Sequence, residues 1–267
     1  MTDAPFSPEE VARYEKATWS RCAETYVEGF GALVAEAIVP LLDAAAISPG
    51  QCVLDVGTGP GLVAAAAAER GADVIGIDFS EPMLAKARSL CTGIAFQRAD
   101  AESLPFEAAS FDAVVGNFVL HHSGRPDRVL EEAFRVLRDG AKTAFTVWSS
   151  LEKLEAFGLF MDAVAAEASE SELPHGPLFG VSDFDVFRQM MKDDGFRDAT
   201  VSELPIAWRT RSIETMLGSL SDWADLSTVP LAARERIETT VREGAERYRS
   251  GNTFIMPNPA ILIAATK

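Results

Sequence analysis

The chain has 267 residues, and 48% of them are hydrophobic, so it can bury a sizeable core. Its 40 acidic residues outnumber its 24 lysines and arginines, and the formal net charge of −16 disfavours a nucleic-acid or anionic-lipid partner. Three widely spaced cysteines form neither a metal-type pair nor a disulfide framework, which is typical of a reducing compartment.

The N-terminal stretch is polar and lacks the apolar centre of a signal peptide. No window elsewhere is both long enough and apolar enough for a membrane span. We therefore expect a soluble, cytoplasmic protein that does not associate with membranes.

Strand-like and helix-like segments alternate between residues 51 and 148. Strands are predicted at 51–57, 72–78, 93–100, 111–120 and 141–148, and helices at 62–70, 81–90 and 125–140. Strands separated by helices pair in parallel through right-handed crossovers. The pattern predicts an α/β fold with a doubly wound sheet.

The second half of the chain is less regular. Helices are predicted at 151–169, 183–196, 212–224 and 230–249, a strand at 199–208, and a terminal strand pair within 252–267. Neither an internal repeat nor a low-complexity linker is present. We predict a single domain over 1–267, with a helical N-terminal cap at 1–48, a core at 49–150, and lid helices with C-terminal strands at 151–267.

A glycine-rich turn follows the first strand, in VLDVGTGPG (53–61). Ligands of open parallel sheets bind at the carboxyl ends of the strands, which is where Gly57 and Gly59 fall. Asp78 ends the second strand and can accept both hydroxyls of a ribose. Asp100 ends the third strand, where it can meet the exocyclic amine of adenine. These positions predict an adenosine pocket.

The turn lacks the features of a phosphate-binding loop. Leu62 stands where a dinucleotide fingerprint needs its third glycine, and no lysine lies near the turn. A cationic, phosphate-free adenosine compound suits an acid-rich site better, and S-adenosylmethionine is such a compound. Asp55, near the end of an apolar strand, would be costly to bury without a partner, and the ligand's amine can be that partner.

Four stretches in this order resemble the class I S-adenosylmethionine-dependent methyltransferases: VLDVGTGPG (53–61), VIGIDFSEPMLAKAR (74–88), FQRADAESLPF (96–106) and FDAVVGNFVLHH (111–122). The likeness is greatest to the branch of ubiquinone/menaquinone C-methyltransferases and small-molecule methyltransferases. It implies a mostly parallel, seven-stranded Rossmann-like sheet, with a helical N-terminal cap and helical insertions.

The resemblance also implies cofactor-binding roles for residues at the carboxyl ends of the predicted strands. The methionine and ribose parts would contact Gly57, Thr58, Gly59, Asp78 and Asn117. The adenine would contact Phe79, Met83, Asp100 and Ala101.

Two adjacent histidines, His121 and His122, follow the fourth strand close to the expected sulfonium. An imidazole titrates near neutrality, so either can act as a base toward the methyl acceptor, with His121 preferred. The alternative is that both only hydrogen-bond the loop. His175 is expected on a surface lid.

An apolar stripe recurs at helical spacing in the N-terminal segment: Trp19, Cys22, Tyr26 and Phe30. It is either core packing or a wall of the acceptor site. An apolar lid over the same site is expected from Phe157, Phe160, Met161, Met216 and Trp223. Together these residues suggest a small, partly apolar organic acceptor, methylated at C, O or N.

Two other functions remain open from the sequence. One is an NAD-dependent oxidoreductase on a related sheet, which Leu62 disfavours. The other is a protein that binds S-adenosylmethionine without transferring its methyl group, because a fold does not dictate a function. We expect a small-molecule partner, no metal, and a monomer or homodimer.

Overall fold

A seven-stranded, mostly parallel sheet forms the core in a computed structural model of the chain, which describes residues 6–167 and 174–267. The strands are β1 (Cys52–Val56), β2 (Asp73–Asp78), β3 (Ala95–Arg98), β4 (Phe111–Asn117), β5 (Leu137–Trp148), β6 (Arg197–Leu204), β7 (Ala207–Thr210), β8 (Arg249–Ser250), β9 (Thr253–Pro257) and β10 (Ala260–Thr266). The helices are α1 (Pro8–Cys22), α2 (Phe30–Val34), α3 (Ile38–Ala44), α4 (Leu62–Glu69), α5 (Glu81–Leu90), α6 (Pro126–Val136), α7 (Glu155–Glu167), α8 (Phe184–Asp193), α9 (Ile213–Ala224) and α10 (Leu231–Ala245).

The strand order in the large sheet is β3-β2-β1-β4-β5-β10-β6. Strands β1 to β5 pair in parallel, and β10 is antiparallel to both of its neighbours. The order reverses between β1 and β4, so a crevice opens at their carboxyl ends. The predicted seven-stranded, doubly wound sheet is confirmed, as are its N-terminal helices.

Each face of the sheet packs against its own set of helices. On one face, Val114 packs in a cluster with residues of α6 and α8. On the other face, Ala113 and Val115 pack with residues of α3 and α4. Because successive side chains of a strand point to opposite faces, the buried strand β4 contributes side chains to the hydrophobic cores on both sides of the sheet.

A second sheet of three strands, in the order β7-β9-β8, lies outside the core sheet. The prediction of one strand over 199–208 was wrong, because Pro205 interrupts the segment between β6 and β7. The prediction of a terminal strand pair was wrong as well: β9 joins the small sheet and β10 the large one, with Pro259 between them. Proline has no N–H for a sheet ladder, so the chain changes sheet at each of these residues.

Two other predicted boundaries need correction. The helix predicted at 125–140 ends at Val136, because the buried Leu137 pairs with Phe111 and begins β5. The helix predicted at 151–169 begins at Glu155, and residues 168–169 lie outside the described part of the chain. Within the described residues, no helix is both long and apolar enough to cross a bilayer.

The strand predicted at 111–120 ends at Asn117, because Phe118 adopts a left-handed conformation with φ of +57°. Thr146 on β5, which is fully buried, holds this conformation. Its hydroxyl accepts a hydrogen bond from the Phe118 amide (2.9 Å) and donates to Oδ1 of Asn117 (2.6 Å). The Thr146 carbonyl accepts from the same Phe118 amide (3.1 Å), so the backbone and the side chain of one β5 residue together fix the direction in which the chain leaves β4.

We predict that Thr146→Val lowers the free energy of unfolding by about 1–3 kcal/mol, because Oδ1 of Asn117 loses its donor and the Phe118 amide keeps only the carbonyl of residue 146. Thr143→Val is the matched control on the same strand, because the buried Thr143 hydroxyl donates only to the carbonyl of Val114 (2.9 Å). Urea unfolding of both variants measures the difference. A loss in Thr146→Val no larger than that in Thr143→Val would contradict the role assigned to Thr146.

Candidate functional site

The turn after β1 brings the backbone very close to the end of β4. Gly57 has φ of +66° and Gly59 has φ of +52°, conformations that glycine adopts at little cost. A Cβ atom on Gly57 would lie 2.6 Å from Cγ2 of Val119, which is too close for any side chain. Glycine is therefore required here, since the ends of β1 and β4 touch.

Asp78, the last residue of β2, ties this turn to the start of α5. Its Oδ2 accepts from the amide of Gly59 (2.9 Å), and its Oδ1 accepts from the amide of Ser80 (2.8 Å). The side-chain hydroxyl of Ser80 in turn caps α5 by accepting from the amide of Met83. Burial raises the pKa of the Asp78 carboxyl to about 6, although these amides lower it.

Asp55 lies behind the turn. It is buried on β1, and its Oδ2 accepts from the hydroxyl of Thr58 (2.6 Å). Burial raises the pKa of the Asp55 carboxyl to about 7, against the opposing effect of the Thr58 hydrogen bond. Neither residue lines a cavity; both support the turn from within the protein.

Two cavities, of about 510 and 570 Å³, meet at this edge of the sheet. The residues that border both are Gly57, Asp78, Phe79, Val119 and His122. The predicted site residues therefore divide between two adjoining spaces, which we call the aromatic cavity (about 510 Å³) and the polar cavity (about 570 Å³).

The polar cavity lies between the end of β3 and the N-terminal part of α1. Asp100 and Ala101, for which the resemblance implies contacts with an adenine, line this cavity. Oδ1 of Asp100 accepts from the amide of Glu102 (2.9 Å), which holds this loop in a tight turn. Across the cavity from the loop, α1 contributes Pro8, Glu9, Ala12 and Lys16.

In the part of the chain that the structure describes, nine aromatic side chains line the aromatic cavity. These are Trp19, Tyr26, Phe30, Phe79, Phe118, Trp148, Phe157, Phe179 and Trp223. The sequence had left two interpretations open for the N-terminal apolar stripe. Trp19, Tyr26 and Phe30 line the cavity, whereas Cys22 is buried beside Met83.

The residues expected to form a lid also separate into two groups. Phe157, Met161 and Trp223 line the aromatic cavity. Phe160 and Met216 are fully buried in the cluster beneath it. Each of the helices α7 and α9 therefore contributes some side chains to the cavity and others to the hydrophobic core.

Asn117 and Met83 both line the aromatic cavity. The Asn117 side chain also joins two elements: its Nδ2 donates to the carbonyl of Val34 on α2 (3.1 Å), and its Oδ1 accepts from Thr146. Met83 is buried on α5 and presents a small part of its side chain to the cavity.

The two adjacent histidines lie in a short 3₁₀ turn after β4 and have different surroundings. His121 is buried, and neither ring nitrogen has a hydrogen-bond partner among the described residues. Burial, together with the neighbouring His122, holds the pKa of His121 well below its usual range. In contrast, Nδ1 of His122 lies 3.1 Å from Oε2 of the buried Glu15, and the two imidazole centroids are 4.0 Å apart.

His175 lies outside the site. Its ring packs against Phe6 and Phe179, with centroid distances of 5.5 and 4.9 Å. It does not line either cavity.

Several residues at the site were not expected from the sequence. Glu15 and Trp148 are the main ones, together with Val119, which separates the two cavities. For Glu15 a signal was present, since it precedes Trp19 by one helical turn, the spacing at which side chains meet. For Trp148 no indication was present in the sequence, because its position at the cavity depends on where β5 ends relative to β4.

The segment that contains the site is similar to known proteins. Residues 54–145 match a protein family described as "Methyltransferase domain". That segment runs from β1 into β5 and so contains the glycine turn, Asp78, Asp100 and both histidines of the 3₁₀ turn.

Curated relatives match the same part of the chain. A demethylmenaquinone methyltransferase of Clavibacter sepedonicus is 38% identical over 128 residues, which are 45% of this chain and 52% of that protein. A ubiquinone biosynthesis O-methyltransferase of Hahella chejuensis is 36% identical over 140 residues, 51% of this chain and 57% of that protein. The chain thus spans a little over half the length of these relatives.

A solved structure shares the fold over most of the chain. It is phosphoethanolamine N-methyltransferase 2 of Haemonchus contortus, in complex with phosphomonomethylethanolamine and S-adenosylhomocysteine. The TM-score is 0.54 at 21% identity, and the match covers 86% of this chain and 52% of that one. Residues 54–145 therefore match the methyltransferase domain family, and the chain shares its fold with a methyltransferase of known structure.

Proposed function

We propose that this protein transfers a methyl group from S-adenosylmethionine to a small, partly apolar organic acceptor. The observation that carries the proposal is the meeting of a polar and an aromatic cavity at Gly57, Asp78 and His122. One space suits a nucleoside and the other an apolar acceptor. The border between them is where a methyl group would pass.

The residues present fit the cofactor. Within the described part of the chain, the Asp78 side chain accepts from two backbone amides and forms no ion pair, so its carboxylate can also accept the ribose hydroxyls. We assign the adenine to the polar cavity, beside Phe79, Asp100 and Ala101, and the methionine to the aromatic side, toward Gly57, Gly59, Met83 and Asn117. Asp55 and Thr58 act through the turn that they support rather than by direct contact.

The acceptor would lie in the aromatic cavity. A volume of about 510 Å³ is within the range of small-molecule sites, and its rings offer stacking surfaces. When bound, S-adenosylmethionine supplies an electrophilic methyl carbon. The cavity aligns the nucleophilic atom with that carbon and excludes water, and in-line attack forms the new bond as the carbon–sulfur bond breaks.

A proton must leave an acceptor whose reacting atom is an O–H, N–H or acidic C–H. We assign its removal to His122, reversing the preference that the sequence suggested. His121 stays neutral because burial lowers its pKa, which makes it a poor base but a suitable hydrogen-bonding group for the acceptor. Its two unpartnered nitrogens, within the described part of the chain, support that role.

The names of the two relatives and of the solved structure suggest which acceptors to test first. We would incubate the protein with S-adenosylmethionine and either a naphthoquinol, a catechol or an aliphatic amine, and follow S-adenosylhomocysteine by mass spectrometry. A titration with NAD is the comparison arm for the dinucleotide alternative. Binding of NAD in preference to S-adenosylmethionine would overturn the proposal.

We predict that Asp78→Asn weakens S-adenosylmethionine binding by about tenfold or more, because a hydrogen bond to a charged group is lost. In the wild type, affinity falls as the pH drops through about 6, where Asp78 becomes protonated and loses acceptor capacity. Isothermal titration calorimetry between pH 5 and pH 8 measures both effects.

The control for this pH dependence is the variant itself. Asp78→Asn keeps the shape of the side chain but cannot titrate, so the step near pH 6 should be absent from its profile. A step of the same size in the variant would assign the pH dependence to another group, such as Asp55.

We predict that His122→Ala lowers kcat by about 100-fold or more while KM changes little, since a general base acts in the transition state. His121→Ala should raise KM more than it lowers kcat, because its assigned role is to bind the acceptor. Steady-state kinetics at saturating cofactor separates the two. Wild-type rates in His122→Ala would show that alignment alone carries the reaction.

A further inference from the structure

A buried carboxylate on α1 faces the site. Glu15 is 5% exposed, in the middle of a helix whose neighbouring acids are on the surface. Its Oε2 accepts from Nε1 of Trp19 (2.8 Å) and lies 3.1 Å from Nδ1 of His122. Burying a carboxylate is costly unless it is paired, so this position needs an explanation.

The partners of Glu15 explain the position only in part. Over residues 6–167 and 174–267, no lysine or arginine forms an ion pair with it, and its one potential cation is the imidazole of His122. Trp19 fixes the carboxylate from the same helix, and its indole packs edge-on against the His122 ring at a centroid distance of 4.9 Å. The helix therefore presents a fixed negative charge to one nitrogen of one histidine.

We propose that Glu15 is a positioning residue for methyl transfer: it holds the Nδ1 proton of His122 and so leaves Nε2 unprotonated to take a proton from the acceptor. The two nitrogens of a neutral imidazole cannot both be acceptors, so a partner at Nδ1 determines the tautomer. His122 borders both cavities, which places its ring where the acceptor and the cofactor would meet.

The carboxylate has a second effect during the reaction. When Nε2 receives the proton, the ring becomes an imidazolium, and the negative charge of Glu15 stabilises it. The acceptor's electron pair forms the bond to the methyl carbon, the carbon–sulfur bond breaks, and the proton remains on His122 until solvent removes it. The inference rests on the proposed function, because it requires a proton-bearing acceptor.

Other ionisable groups also face His122. Asp78 from β2 and His121 from the same 3₁₀ turn lie nearby, and His121 stays neutral. The polar cavity that His122 borders is also lined by Glu9, Lys16, Arg98, Asp100, Glu102 and Arg125. Among the described residues, Glu15 alone makes an ion pair with His122.

The first test determines the tautomer of His122 and needs neither cofactor nor acceptor. Two-dimensional ¹H–¹⁵N correlation of the imidazoles is simple here, because the chain has three histidines and His122→Ala assigns the relevant signals. We expect the Nδ1–H tautomer of His122 in the wild type and in Glu15→Gln, whose carbonyl oxygen can accept the same two hydrogen bonds. We expect a mixture of tautomers in Glu15→Ala. A wild-type His122 protonated at Nε2 would overturn the inference.

The second test reads the charge, with whichever of the naphthoquinol, catechol or amine probes is methylated. Glu15→Gln should lower kcat by about tenfold and leave KM nearly unchanged, because the imidazolium that forms in the transition state loses its counter-charge. Glu24→Gln is the matched control, since the Glu24 carboxylate is 90% exposed and pairs only with Lys86 at the surface.

The outcomes distinguish this inference from the proposed function. A wild-type kcat in Glu15→Gln would reject the role of Glu15 and keep the methyltransferase. Loss of S-adenosylmethionine binding in the wild type would reject the function itself. Because the tautomer is measured on the free protein, it tests the geometry even if none of the probes is methylated.

Discussion

The contact between Gly57 and Val119 is the constraint on which the site depends. The turn after β1 and the end of β4 approach so closely that no side chain fits at Gly57. This contact separates the space at the ends of β2 and β3 from the space under the aromatic rings. The rest of the site follows from it: Asp78 ties down the turn on one side, and Thr146 directs the chain away from β4 on the other.

Three buried carboxylates surround this contact, and each is stabilised differently. Asp55 is held by a hydroxyl, Asp78 by backbone amides, and Glu15 by an indole and an imidazole. Burial raises the pKa of the two aspartates, so they exert a smaller negative field than surface acids when the site is empty. A cationic ligand would favour their ionised forms, and for this reason the site suits a sulfonium better than a pyrophosphate.

The sequence was most informative where local patterns alone determine the structure. The glycines of the turn, the acid that ends β2 and the cap at Ser80 follow from spacing within a few residues, and all were found. Contacts between residues that are distant in the sequence were harder to predict. Pro259 marks a break between β9 and β10, but no local signal tells that β9 pairs in a separate sheet, and Glu15 resembles any acid on an amphipathic helix until α1 is placed over His122. Which of the two histidines is the better candidate base likewise depends on how deeply each is buried, and two adjacent positions in a sequence do not show this difference.

The path of the chain through its two sheets has a consequence for how such proteins diversify. Leu204 and Ala260 face each other across the antiparallel pair of β6 and β10, so the intervening segment leaves and re-enters the core sheet at one point. That segment contains the small sheet together with α9 and α10, and it contributes Trp223 and Arg247 to the aromatic cavity. An insertion whose ends are neighbours can be lengthened, shortened or exchanged without altering the register of the strands around it. Exchange of the segment between Leu204 and Ala260 would therefore change one part of the aromatic cavity and leave the core sheet as it is.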